Sequence, residues 1–151
     1  MPGVLDEVRS FLGELRREMP GLFRPKPSPP PSLLSFEPVD AKTSLFHERA
    51  AYWSVRMGVT YAGVRVKDLR SLWGSCSRAG RLSFNRLLLR APAEVLDYVV
   101  VHELAHRLEM NHSRRFWGHV ERWCPEHKRH RRWLRTEGRD LLTSRLADGI
   151  L

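Results

Sequence analysis

The pentapeptide His102-Glu103-Leu104-Ala105-His106, set inside the apolar run EVLDYVVVHELAHRLEM, constrains this chain more than any other feature. Residues four apart share one face of a helix, so both imidazoles can reach a single metal ion. Glu103 lies about 100 degrees further round the helix. From there it is poorly placed to join the first coordination shell and well placed to take a proton from water beside the metal. With seven His in 151 residues, a shuffled chain would match HExxH on the order of 0.02 times. The match also falls on a helix that is apolar almost all round, where a His-Glu-His cluster without partners would be costly to bury. Zn2+ suits such donors, because it accepts imidazole nitrogen and lowers the pKa of bound water to about 7 in favourable sites.

A catalytic zinc needs a third protein ligand. His112 follows His106 just beyond the expected helix end, and Asn111, able to adopt the left-handed conformation, is the expected turning point that folds His112 back. The spacing is that of the metzincin pattern HExxHxxGxxH, but Glu109 stands where that pattern requires glycine, which argues against a metzincin. His119, Glu121 and Glu126 on the next helical segment are the alternative third ligands.

Around this helix the chain alternates period. Residues 4 to 19 place Val4, Val8, Phe11, Leu12 and Leu15 at helical spacing, so residues 1–23 read as an amphipathic helix. RPKPSPPPS follows, and residues 24–39 read as an extended proline-rich spacer ahead of a catalytic domain over residues 40–148. Ala41 to Met57 suits a helix, with apolar Leu45, Phe46, Ala50, Trp53 and Val55 and a stop at Gly58. Thr60 to Asp68 and Arg81 to Leu89 have strand character and read as an antiparallel hairpin with a broad loop containing SCSRAG. Pro92 then opens the metal helix, which should continue through Met110. Two helices complete the chain, at roughly 113–124 and 127–146, separated by Pro125.

Composition limits the partners. The net charge is +9 and the pI near 10.5, a field that favours phosphates and acidic partners without identifying one. Residues 113 to 145 carry ten Lys and Arg against four acidic residues, which reads first as a solvated helix face. Only Cys76 and Cys124 occur, too few for a disulfide framework or an all-cysteine zinc site. Cys76, in the loop of the hairpin, reads chiefly as a small packed residue, with a role at the site as the alternative, and Cys124 as structural. Phe116, Trp117, Trp123 and Trp133 lie at spacings that pack helices together. No stretch resembles a secretory signal or a membrane span, so a cytoplasmic protein is expected.

From Trp73 to Leu134 the motifs WGSCS, SFN, HELAH and NHSRRFW stand in the order found in the YgjP-like metallohydrolases, relatives of WLM and SprT-like zincins, and the segment resembles that family. The resemblance implies an α+β, zincin-like fold, with a small antiparallel sheet or hairpin packed on a central HExxH helix and flanked by C-terminal helices. It implies zinc held by His102, His106 and His112, Glu103 as general base, and a Trp73–Asn85 hairpin bordering the substrate cleft. Ser75, Cys76 and Asn85 are then candidate substrate contacts, with Asn85 equally suited to holding the strand end. Family members usually carry a longer strand-rich N-terminal region, which residues 1–40 do not supply.

The expected activity is zinc-dependent peptide hydrolysis, with an extended peptide or protein substrate paired along an edge strand around Leu82 to Asn85. Two alternatives follow from the positive charge. One is a metal-dependent nucleotide phosphohydrolase, for which no glycine-rich phosphate loop is present; the other is a nucleic-acid-associated protease using its basic C-terminal helices.

Overall fold

The computed structural model describes residues 40–147. The amphipathic helix expected at residues 1–23 and the spacer at 24–39 lie outside the described residues. Helix α1, Ala41–Met57, opens at Asp40, whose carboxylate accepts from the Lys42 amide at 3.3 Å. It closes at Gly58, held at φ 66°, whose amide returns to the carbonyls of Ser54 and Val55. That left-handed turn is costly for any residue with a Cβ. Phe46, Ala50, Ser54 and Met57 form the buried face, while Leu45 and Val55, apolar positions of the same helix, are exposed.

Three short strands follow: β1 Gly63–Lys67, β2 Gly74–Cys76 and β3 Arg81–Asn85. Their order in the sheet is β1-β3-β2. The expected antiparallel pairing of the two longer segments is corrected, because β1 runs parallel to β3, Gly63 opposite Arg81 through Lys67 opposite Asn85. The antiparallel hairpin is instead β2–β3, with Ser75 opposite Ser83. After β1 the chain crosses to the far side of the sheet, and β2 then turns back through Ser77–Gly80 so that β3 fills the centre. The expected peptide-pairing edge at Leu82 to Asn85 is therefore interior, and β2 is an edge strand.

Strand β3 also ends sooner than its apolar run suggests. Asn85 is fully buried and its Oδ1 accepts from the Leu87 amide at 3.1 Å, starting a 3-10 turn over Arg86–Arg90. Helix α2, Ala93–Ala105, follows Pro92 and buries ten of its thirteen residues, as its all-round apolarity predicts. It stops at Ala105, short of Met110. The amides of Arg107 and Leu108 reach back only three residues, to Leu104 and Ala105, at 2.9 and 3.0 Å. Among the described residues no non-glycine has positive φ, so Asn111 does not make the left-handed turn; tightened turns after Ala105 change the chain's direction instead.

Helix α3, Arg114–Trp123, is capped by Ser113, and α4, His127–Arg135, is separated from α5, Glu137–Ala147. The single helix expected over 127–146 breaks at Thr136, whose hydroxyl turns back onto the carbonyls of Arg132 and Trp133. Such back-bonding competes with helical continuation. The core joins these layers around stacked Phe46 and Phe84, 5.5 Å apart, with Leu82, Leu88, Val100, Val101 and Leu104. A two-pronged contact from Arg49 to Asp97, at 2.6 and 2.7 Å, ties α1 to α2. Among the described residues no helix is long and apolar enough to cross a membrane.

Helix α4 is unusual in turning imidazoles inward, since His127 and His130 are its buried residues. Burial pushes His127 below its ordinary pKa, and Lys128, Arg131 and His130 add to the effect against an opposing pull from Glu121. The unfolded chain therefore takes up a proton near pH 6.5 that the folded chain resists. Stability is full above that pH and is lost as pH falls through it. Urea unfolding followed from pH 7.5 to 5 should show this loss, and His127→Phe should flatten it; an unchanged pH slope in the variant would exclude His127 as the source.

Candidate metal centre

Helical spacing puts His102 and His106 one turn apart at the end of α2, with rings 5.3 Å apart. Both are largely buried, 9% and 4% exposed. The turn after Ala105 then orients His106. Its Nδ1 lies 3.1 Å from the Glu109 carbonyl; a carbonyl can only accept, so this nitrogen carries the proton and Nε2 keeps its lone pair. The same turn brings His112 back. Its Nε2 lies 3.2 Å from Nε2 of His102, and one nitrogen from each of the three imidazoles falls within 4.8 Å of the others.

That donor set fits zinc. Tetrahedral Zn–N bonds of about 2.0–2.1 Å place two ligand nitrogens roughly 3.3 Å apart, close to the 3.2 Å found between His102 and His112. Among the described residues these three histidines are the group able to hold a metal ion. His119, Glu121 and Glu126 are not brought to it; His119 is half-buried and the two carboxylates are exposed.

Glu103 points off the histidine face towards β2 and is 2% exposed. The contact is close enough to fix the identity of its neighbour, since a Cβ on Gly74 would lie 2.9 Å from Glu103 Oε1 and 3.0 Å from Val99 Cγ1. A glycine inside a strand marks such a close approach. Gly74 was legible as part of WGSCS, but its role depends on a contact with a residue 29 positions later.

The remaining candidates fall around this core. Ser75 is half-buried and alternates with buried Gly74 and Cys76 along β2. Cys76 points inward, with Sγ 3.4 Å from the Ser77 carbonyl. Asn85 takes the strand-ending role: its Nδ2 donates to the carbonyls of Leu69 and Leu72, both at 2.9 Å, and this pins the crossover that delivers β2. Cys124 is half-buried, and burial pushes its thiol up to about 11, far from the thiolate that a ligand or nucleophile needs.

Sequence reasoning missed the residues that back the ligands. Phe116, fully buried, stacks on His106 at 4.5 Å and meets His102 and His112 edge-on at 4.9 and 4.6 Å. Trp117 touches His102 and His112 at 5.7 and 6.1 Å. In the sequence both read as residues that pack helices together. The Tyr98 hydroxyl lies 3.5 Å from Nδ1 of His102, and its four-residue offset on the same helix was the available signal.

A small mixed sheet laid on a helix that bears two imidazoles and a carboxylate, with a third imidazole returned by the next turn, defines a zincin-like metallohydrolase. The chain belongs to the YgjP-like family, whose metallopeptidase-domain model matches residues 39–137. The fold is similar to the crystal structure of the metallopeptidase zymogen of Pyrococcus abyssi abylysin, at 24% identity and a TM-score of 0.53, over 60% of this chain and 94% of that one. No curated protein matches significantly.

Gly74→Ala tests the contact between strand and carboxylate. The added methyl must displace Glu103 or β2, so a stability loss of about 1–3 kcal/mol in urea unfolding is expected, together with a fall in hydrolytic rate. A variant as stable and as active as the parent would show that β2 does not press on Glu103.

Proposed function

We propose that the protein is a zinc-dependent peptidase in which His102, His106 and His112 hold the ion and Glu103 is the general base. The observation that carries this reading is the convergence of three imidazole nitrogens within 4.8 Å, with a buried carboxylate on the adjoining helix position. Zinc held by these three residues would supply Lewis-acid chemistry towards a carbonyl and water. Glu103 accepts the proton of the attacking water and returns it to the leaving amine. Its burial against Gly74 and Val99 limits its rotamers and keeps bulk water away, so the carboxylate is preorganised for both transfers.

The substrate is an extended peptide. As an edge of the sheet next to Glu103, β2 offers main-chain pairing, the mode by which exposed sheet edges bind peptides. Ser75, opposite in facing to the two inward residues of β2, is the side chain of this strand best placed to meet it. Nucleotide phosphohydrolysis is the weaker reading, since both the family and the fold likeness are to metallopeptidases; phosphate release from nucleoside triphosphates without peptide cleavage would reverse the ranking. The proposed compartment is the cytoplasm, in keeping with two cysteines that are both free.

Glu103→Gln should keep one zinc per chain and lose about 10²–10⁴-fold in kcat, the usual contribution of a positioned base. His106→Ala should lose both. Metal analysis paired with a peptide-cleavage assay reads these outcomes, and a fully active Glu103→Gln enzyme would remove Glu103 from the mechanism.

A further inference from the structure

An imidazole lends a metal ion one nitrogen, and the hydrogen bond made by its other nitrogen decides which one that is. For His106 the Glu109 carbonyl makes that choice. For His102 the directions are equally plain. Its Nε2 faces Nε2 of His112 at 3.2 Å, so Nδ1 is the nitrogen turned away, and the Tyr98 hydroxyl lies 3.5 Å from it. A neutral imidazole that offers the lone pair of Nε2 carries its proton on Nδ1. Nδ1–H of His102 then donates to the phenol oxygen, which can accept it.

Two helices fix where that oxygen sits. Tyr98 precedes His102 by four residues, so α2 sets both on one face, and their rings meet edge-on, 74° apart with centroids at 5.9 Å. From α4, the His130 ring lies 6.2 Å from the Tyr98 ring at a 35° tilt. Tyr98 is 4% exposed and His130 9%, so water has little access to the phenol. A buried phenol usually finds a polar partner, whereas pure packing would be served as well by phenylalanine. We propose that Tyr98 is a positioning residue of the metal centre: its hydroxyl accepts the Nδ1 proton of His102 and so fixes the tautomer and ring angle that present Nε2 to the ion. This role rests on the zinc reading above. Outer partners of this kind contribute roughly 10–100-fold in metal affinity. A separation of 3.5 Å is long for a hydrogen bond, which puts the expected effect at about ten-fold.

The test compares the full-length wild type with Tyr98→Phe, which keeps the ring beside His130 and removes one oxygen. Zinc affinity is read by competition with a chelating indicator, and the imidazole nitrogens of the zinc-loaded proteins by long-range proton–nitrogen NMR spectra. Tyr98→Phe should bind zinc about ten-fold more weakly. The Nδ1 proton of His102 should exchange with solvent faster than in the wild type, while that of His106, held by the Glu109 carbonyl, should not change. Such a difference between two histidines of one site separates positioning from a general loss of packing.

Zinc affinity equal to the wild type overturns the proposal. So does weaker binding that leaves the His102 nitrogens as they were or alters those of His106 equally. Should urea unfolding of the metal-free chain show that Tyr98→Phe does not fold, the wild type decides. A zinc-loaded His102 with a protonated Nδ1 in contact with the Tyr98 ring supports the role, and an Nδ1 that is unprotonated, bound to the ion or out of contact with that ring sinks it. His106→Ala is the reference for the zinc reading itself. Zinc bound by the wild type and lost in His106→Ala, with Tyr98→Phe at full affinity, removes Tyr98 and keeps the metal centre; no zinc in the wild type, or zinc retained in His106→Ala, removes the centre and the role of Tyr98 with it.

Discussion

Three imidazoles brought within 4.8 Å of one another give up hydration, so their convergence must be held by the rest of the fold. Helix α2 supplies the rigidity. With ten of its thirteen residues buried, it is fixed by the sheet, by α1 through Arg49 and Asp97, and by α4. A helix free to rotate by even one residue would carry His102 and Glu103 about 100 degrees round, which would separate the two halves of the site. The apolarity of α2 is therefore a condition for its chemistry as well as for its stability.

The sheet contributes proximity. Three strands of three to five residues cannot form a large core, and their role is to bring a single glycine against Glu103. The route is indirect. Asn85 bonds the carbonyls of Leu69 and Leu72, the crossover is held, β2 lands on the outer side of β3, and Gly74 then meets the carboxylate. Arg107, immediately after His106, donates to the carbonyls of Thr60 and Arg78 at 2.9 and 3.0 Å. The tip of the β2–β3 hairpin is thereby anchored to the end of α2, and one short stretch of chain positions His106, Glu103 and the edge strand together.

These couplings explain what the sequence could and could not reveal. HELAH on an apolar helix was legible because both its spacing and its burial follow from local periodicity, and α1 was legible to the residue through its Gly58 stop. The antiparallel pairing of β1 with β3 was a misreading, because β2 is too short for alternation to register and its insertion depends on hydrogen bonds 13 and 16 residues apart. The turn before His112 was expected from the conformational tolerance of Asn111; tightened turns at the end of α2 do the work instead. The break at Thr136 was hidden for a similar reason, since one hydroxyl's choice of partner decides it.

Behind the three histidines, aromatic packing adds to polar support. His106 has the Glu109 carbonyl behind it, and the Tyr98 hydroxyl lies 3.5 Å from Nδ1 of His102. Phe116 contacts all three imidazole rings. Aromatic edges and faces attract in defined geometries, so one buried ring can restrict three others without competing for their nitrogens. Its placement follows from the chain: Ser113 caps α3 directly after His112, and the first turn of that helix must then direct residue 116 back under the ligands. The helix that follows His112 and the ring that steadies the three histidines are thus specified by the same few residues.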